Sequence, residues 1–141
     1  MIRLELTVLA WGCILALVHI FGAAHVKTRQ YGPKWNMGAR DEALPPPRAI
    51  VGRMERAQAN FFETFPLVIA AVLTLAVTGI HSWMTELGAV LWLGSRALYL
   101  PIYAAGIPVI RTLVFLVGLV GILMMLWPVL SAGLGASMLL G

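Results

Sequence analysis

Three features of the sequence predict an all-α integral membrane protein, a bundle of four membrane-crossing helices. The chain of 141 residues is 60% hydrophobic and only 11% charged, whereas a soluble domain carries about 25% charged residues. Its mean hydropathy is +0.89. Four apolar runs, at about 6–26, 60–80, 87–105 and 112–134, each approach the ~20 residues needed to cross a bilayer. These runs are expected to be helical, because hydrocarbon offers backbone N–H and C=O groups no partner outside the segment. A single domain over 1–141 is therefore expected, with helices over about 4–27, 48–79, 84–105 and 108–135.

The first run follows Arg3 and contains the small residues of "GAAH", as a signal peptide would. Glu5 interrupts the basic start and the run is longer than a signal core, so it is read as a membrane helix. The single cysteine, Cys13, lies inside it. One cysteine excludes an intrachain disulfide and a cysteine-based metal site, and Cys13 is read as a small packed hydrophobe. His19 and His25 are six positions apart and share no helical face. No cysteine or carboxylate cluster accompanies them, so no metal is expected.

Next comes "KTRQYGPKWNMGARDEALPPPR", Lys27 to Arg48. Gly32-Pro33 and Pro45-Pro46-Pro47 break helices, so this stretch is read as a loop. The second helix is expected to start directly after the prolines, near Arg48, well before the bilayer. The remaining connections, "HSWMTE" and "AGIP", are short, which predicts antiparallel neighbours. His81, in the first of them, is expected to be solvated. Trp11, Trp83 and Trp127 are placed as interfacial anchors and Trp92 within the bundle. The glycines of "VGLVGILMM" and "SAGLGASMLLG" are expected to permit close helix contact.

Seven of the ten Lys and Arg residues fall between Lys27 and Arg56. They form no basic stripe with interleaved aromatics, which argues against a nucleic-acid partner. Their clustering between two spans is a topology signal that places the 28–47 loop in the cytoplasm. The third helix then returns to the same side, bringing Arg96, Tyr99, Tyr103 and Arg111 toward the start of the second.

That start reads "RMERAQANFFETFP", Arg53 to Pro66. On a helical wheel Arg53, Arg56, Asn60 and Glu63 fall within about a quarter-circle. Pro66 removes a backbone donor, so a kink is expected there. Arg96, Tyr99 and Tyr103, spaced i, i+3, i+7, share a face of the third helix. An arginine as deep as Arg96 costs at least ~2.5 kcal/mol in lipid, so it must face another helix, a cavity or an anion. A structural reading pairs Glu63 with Arg56 or Arg96 to hold helices together. A functional reading counts charges: Arg53, Arg56, Arg96 and Arg111 outnumber Glu55 and Glu63, so an anionic or zwitterionic small molecule would balance the site.

The stretch Arg53–Pro66, with Arg56, Asn60 and Glu63 in the spacing Arg-x-x-x-Asn-x-x-Glu, resembles the signature of the MAPEG family, membrane-associated proteins in eicosanoid and glutathione metabolism. Tyr99 and Tyr103 on the third helix and Arg111 at the start of the fourth extend the resemblance over essentially the whole chain. "WNMGARDE", Trp35 to Glu42, resembles the loop of bacterial members, which implies a bacterial inner membrane. Thr64 stands where some members carry a tyrosine.

The resemblance implies a homotrimer with sites between adjacent subunits, embedded among membrane lipids, and glutathione as co-substrate without a metal. Arg56, Asn60, Glu63 and Tyr99 would hold the glutathione backbone, with Arg53, Arg96 and Tyr103 beside them. Gln58 would reach the ligand from a neighbouring subunit, and Arg29 or Lys27 would supply a first-helix cation. Arg111 would face the sulfur as the catalytic residue, with the Thr112 hydroxyl beside it. The implied activity is a glutathione transferase or peroxidase acting on lipophilic electrophiles or lipid hydroperoxides. Two alternatives stand beside it: a non-catalytic lipid-binding or scaffold member of the family, and a small multidrug transporter switching on Glu63.

Overall fold

The computed structural model describes residues 2–139. Its elements are α1 (Leu4–Tyr31), α2 (Pro33–Met37), α3 (Ala49–Thr78), α4 (Trp83–Ala105) and α5 (Pro108–Leu139). All but α2 are long and apolar enough to cross a membrane. The protein is therefore an integral, multi-pass, all-helical bundle. α4 and α5 make the most extensive contact; α1 packs on α3 and α4; α3 also meets α5. Among the described residues α1 and α5 do not touch, so α3 and α4 lie between them.

The long connection differs from its expected loop. α1 runs on to Tyr31, and only Gly32, at φ 92°, stops it. Pro33 then opens the short α2, a position where its missing N–H costs nothing. The extension is held by Lys27, whose ammonium meets the Glu55 carboxylate of α3 at 2.5 Å. The Tyr31 hydroxyl donates to the Pro45 carbonyl (2.9 Å), and the Gln30 side chain bridges the Pro46 carbonyl and the Arg48 N–H. The triple proline is thus strapped to α1, and α3 begins directly after Arg48. α3 stays helical through Pro66.

Rings fill the centre. His19 stacks on Phe61 at 4.4 Å, and Phe65 stacks on Trp92 at 5.8 Å. Trp92 lies buried in the bundle, while Trp11, Trp83 and Trp127 are exposed. Cys13 is exposed on α1 rather than packed, because its helical position faces away from α3 and α4. α4 and α5 touch backbone to backbone: a Cβ added at Gly88 would lie 2.6 Å from the Gly121 carbonyl oxygen. Close approach of this kind replaces the hydrophobic drive that lipid removes. A Cβ added at Gly133 or Gly135, also expected to pack, would meet nothing within 4 Å among the described residues, and Gly141 lies outside them.

Two devices set the height of α4. At its start, Ser82 and Thr85 cap each other reciprocally. At its end, Gly106 takes φ 79°, and Ile107 N–H returns to the Ile102 carbonyl at 3.3 Å. Pro108 then opens α5. The tight turn keeps Tyr103 and Arg111 at the same end of the bundle.

Candidate functional site

Three helices meet at the end carrying the basic connection. From α3, Arg56 Nε donates to the Tyr103 hydroxyl of α4 at 3.2 Å. One turn deeper, Arg96 Nη1 of α4 donates to Asn60 Oδ1 of α3 at 3.1 Å. The Arg111 guanidinium of α5 lies over the Tyr103 ring at 4.7 Å, and that of Arg96 over Phe115 at 4.7 Å. The Tyr99 and Tyr103 rings are 5.3 Å apart. Cations over aromatic faces are attracted by the ring quadrupole without being neutralised.

A cavity of about 210 Å³ opens between these groups, lined by Asn60, Tyr99, Tyr103, Arg111, Thr112 and Phe115. No carboxylate is among its described lining residues. Arg96 is 1% exposed, and its Nε and Nη2 are buried with no hydrogen-bond partner. A Cβ on Gly118 would lie 3.5 Å from both, so the guanidinium is wedged between α4 and α5. The region therefore carries three guanidiniums whose contacts are an amide, a phenol and rings.

The helical-face reading thus brings Arg56, Asn60, Arg96, Tyr99, Tyr103 and Arg111 together. Arg56 and Arg96 border the cavity through Tyr103 and Asn60, and the other expected residues are not among its lining. Arg53 packs under the α4–α5 turn, where a Cβ on Gly106 would meet its Nη1 at 3.1 Å. Glu63 is exposed and, among the described residues, makes no salt bridge to Arg56 or Arg96. Arg96 uses Asn60 instead, so the anticipated Glu63 pairing is not what joins the helices. Gln58 is about 200° round the helix from Asn60 and does not line the cavity. Arg29 lines a separate cavity of about 440 Å³ with Val26, Arg48 and Ile50.

Phe115 escaped the sequence reading. It follows Arg111 by four positions, so both share a face of α5. In a uniformly apolar helix that spacing does not stand out.

The MAPEG family model matches residues 8–131. The chain belongs to the MAPEG family. No curated protein and no solved structure matches it closely enough to count as a relative. Membership supports a glutathione-related function in the membrane for this MAPEG protein and leaves the transporter reading without support.

Proposed function

We propose that this MAPEG protein is a glutathione transferase, with peroxidase activity toward lipid hydroperoxides, of the microsomal glutathione transferase type. The observation that carries the reading is the charge around the cavity: Arg111 lines it, Arg56 and Arg96 hold its lining residues Tyr103 and Asn60, and no carboxylate is among its described lining residues. An anionic peptide with a thiolate matches that charge. Arg56, Asn60 and Tyr99 would bind its polar backbone, and Arg111 its sulfur.

The magnitude is adequate. Lowering a free thiol's pKa from about 8.5 to about 6.5 needs about 2.7 kcal/mol of differential stabilisation. A guanidinium about 4 Å from the thiolate at an effective dielectric near 20 contributes about 4 kcal/mol. The thiolate is the nucleophile. Its sulfur would bond to an electrophilic carbon as the leaving group departs with the bonding electrons. With a hydroperoxide, sulfur would take the terminal oxygen and release the alcohol; a second thiol would then give the disulfide and water. Val109, Ile110, Leu113 and Leu116 are exposed around Arg111 on α5. The cationic wall therefore borders the hydrocarbon from which a lipophilic substrate would come.

A cavity of about 210 Å³ is smaller than the ~300–1,000 Å³ typical of ligand sites. That supports an oligomer in which a neighbouring subunit supplies the remaining wall, the homotrimer that the family resemblance implies. Gln58 and Arg29, which lie away from the cavity in their own chain, would come from that neighbour. Lys27 is committed to Glu55, so Arg29 is the first-helix cation left for the role. A bacterial inner membrane, with the basic connection in the cytoplasm, fits the charge distribution.

The test is ultraviolet thiolate absorbance on adding glutathione to the purified, detergent-solubilised protein. A thiolate signal that Arg111→Ala loses is the expected result. No signal from an intact wild-type oligomer would sink the enzyme reading.

A further inference from the structure

At the end of the bundle opposite the Arg111 cavity, three residues from distant parts of the chain meet. Glu5 begins α1, His81 lies in the α3–α4 turn, and Glu86 is in the first turn of α4. His81 Nδ1 is 3.2 Å from Glu5 Oε1, and His81 Nε2 is 3.5 Å from Glu86 Oε1. One ligand atom from each of the three lies within 4.8 Å of the others.

We propose that Glu5, His81 and Glu86 bind one divalent first-row metal ion, of which zinc is the probe. Four observations support the site. First, the Glu5 side chain is 3% exposed, and its two oxygens are treated unequally. Oε1 accepts from the Thr85 hydroxyl at 2.6 Å, while Oε2 is buried with no hydrogen-bond partner among the described residues. An unpartnered buried carboxylate oxygen is costly, and an ion bound to the carboxylate would offset that cost.

Second, the donor set suits a cation: Glu5 and Glu86 bring two carboxylates to one imidazole, while the Arg3 guanidinium on the adjoining wall is turned to the Leu75 carbonyl. Imidazole with carboxylates is a ligand set suited to zinc and its neighbours, and zinc takes them at about 2.0–2.2 Å. His81 and Glu86 are 44% and 38% exposed, so their side chains have room to close onto the ion.

Third, the backbone holding the ligands is already set. The reciprocal Ser82–Thr85 cap fixes the turn between His81 and Glu86. The Thr85 hydroxyl that orients Glu5 belongs to that same cap. Outer-shell hydrogen bonds of this kind orient metal ligands.

Fourth, there is a way in. A cavity of about 390 Å³, lined by Ile2, Arg3, Leu4, Thr7, His81 and Glu86, adjoins the cluster. Arg3, the cation among its described lining residues, donates through Nη1 to the Leu75 carbonyl at 3.3 Å. Three protein ligands leave a coordination position for water. The ion would tie the start of α1 to the α3–α4 turn. The cluster escaped the sequence reading because its members lie at positions 5, 81 and 86, and only His19 and His25 were weighed as ligands.

The experiment uses the full chain in detergent after chelator treatment. Zinc alone is titrated against a chromophoric chelator, and cobalt substitution is followed by its visible absorption. One zinc per chain is expected, with affinity falling at least about tenfold in both His81→Gln and Glu86→Gln, the lower bound seen even for outer-shell ligands. His25→Gln, at the other end of α1, should leave binding unchanged. Glu5→Gln is the stronger test if it folds; the two half-exposed variants decide the matter if it does not. No saturable zinc binding by the wild type, or binding that survives both His81→Gln and Glu86→Gln, overturns the proposal.

Discussion

Arg96 and Glu5 are both buried charges in membrane helices, 1% and 2% exposed, yet they are treated oppositely. Arg96, toward the basic end, is given an amide oxygen and two aromatic faces, and no counter-ion. Glu5, at the other end, is given a hydroxyl and an imidazole that itself reaches a second carboxylate. The first arrangement leaves positive charge for an anion; the second leaves negative charge for a cation. Burying a charge without a full partner is expensive, and the chain does it at both ends with opposite sign. Such sites are functional by default inside a membrane, so the two ends bracket the bundle with different ligand chemistries.

The sharpest way to break the contrast is Arg111→Ala. Loss of a transition-state charge partner should lower kcat/KM at least about 100-fold, with zinc binding at the far end unchanged. Turnover that survives would remove the cationic site's purpose. Next comes Arg96→Met, which replaces a poorly partnered buried cation with an apolar chain of similar length. An apolar chain removes the desolvation cost of the buried cation and loses one hydrogen bond to Asn60, worth about 1 kcal/mol. The thermal midpoint in detergent should therefore hold or rise while glutathione affinity falls. A large loss of stability would show Arg96 to be a structural tie instead.

At the other end, Thr85→Val removes the acceptor of the Ser82 N–H and the Glu5 donor, and keeps the position-85 N–H on Ser82 Oγ. It should destabilise by about 1–3 kcal/mol with glutathione affinity intact, as read by thermal unfolding and ligand titration. Tyr103→Phe deletes the hydroxyl that meets Arg56 but keeps the ring under Arg111. Titration should show glutathione binding weakened about fivefold, for about 1 kcal/mol. The smallest effect belongs to Lys27→Met. Both partners of the Lys27–Glu55 pair are more than a third exposed, and such pairs contribute less than about 1 kcal/mol. Thermal unfolding should barely move.

Much of the architecture was legible without coordinates, because lipid makes hydropathy and helix formation nearly the same question. The faces of the site were legible too. Arg56 and Asn60 on one helix, and Arg96, Tyr99 and Tyr103 on another, follow from the 3.6-residue period alone. The extension of α1 past Lys27 was not legible, since a polar stretch before Gly32 reads equally well as loop or helix until Glu55 is seen to hold it.

The sequence by itself determined the membrane class, four spans, the charge asymmetry between connections and the MAPEG signature from Arg53 to Pro66. Only the tertiary structure decided that Arg96 meets Asn60 rather than Glu63, that Phe115 closes the cavity, and that Glu5, His81 and Glu86 share one place. The physical reason is the reach of each signal. Periodicity reports which residues share one helix's face. Partners on another helix depend on relative rotation and depth, which contacts such as Gly88 against Gly121 set at the level of ångströms.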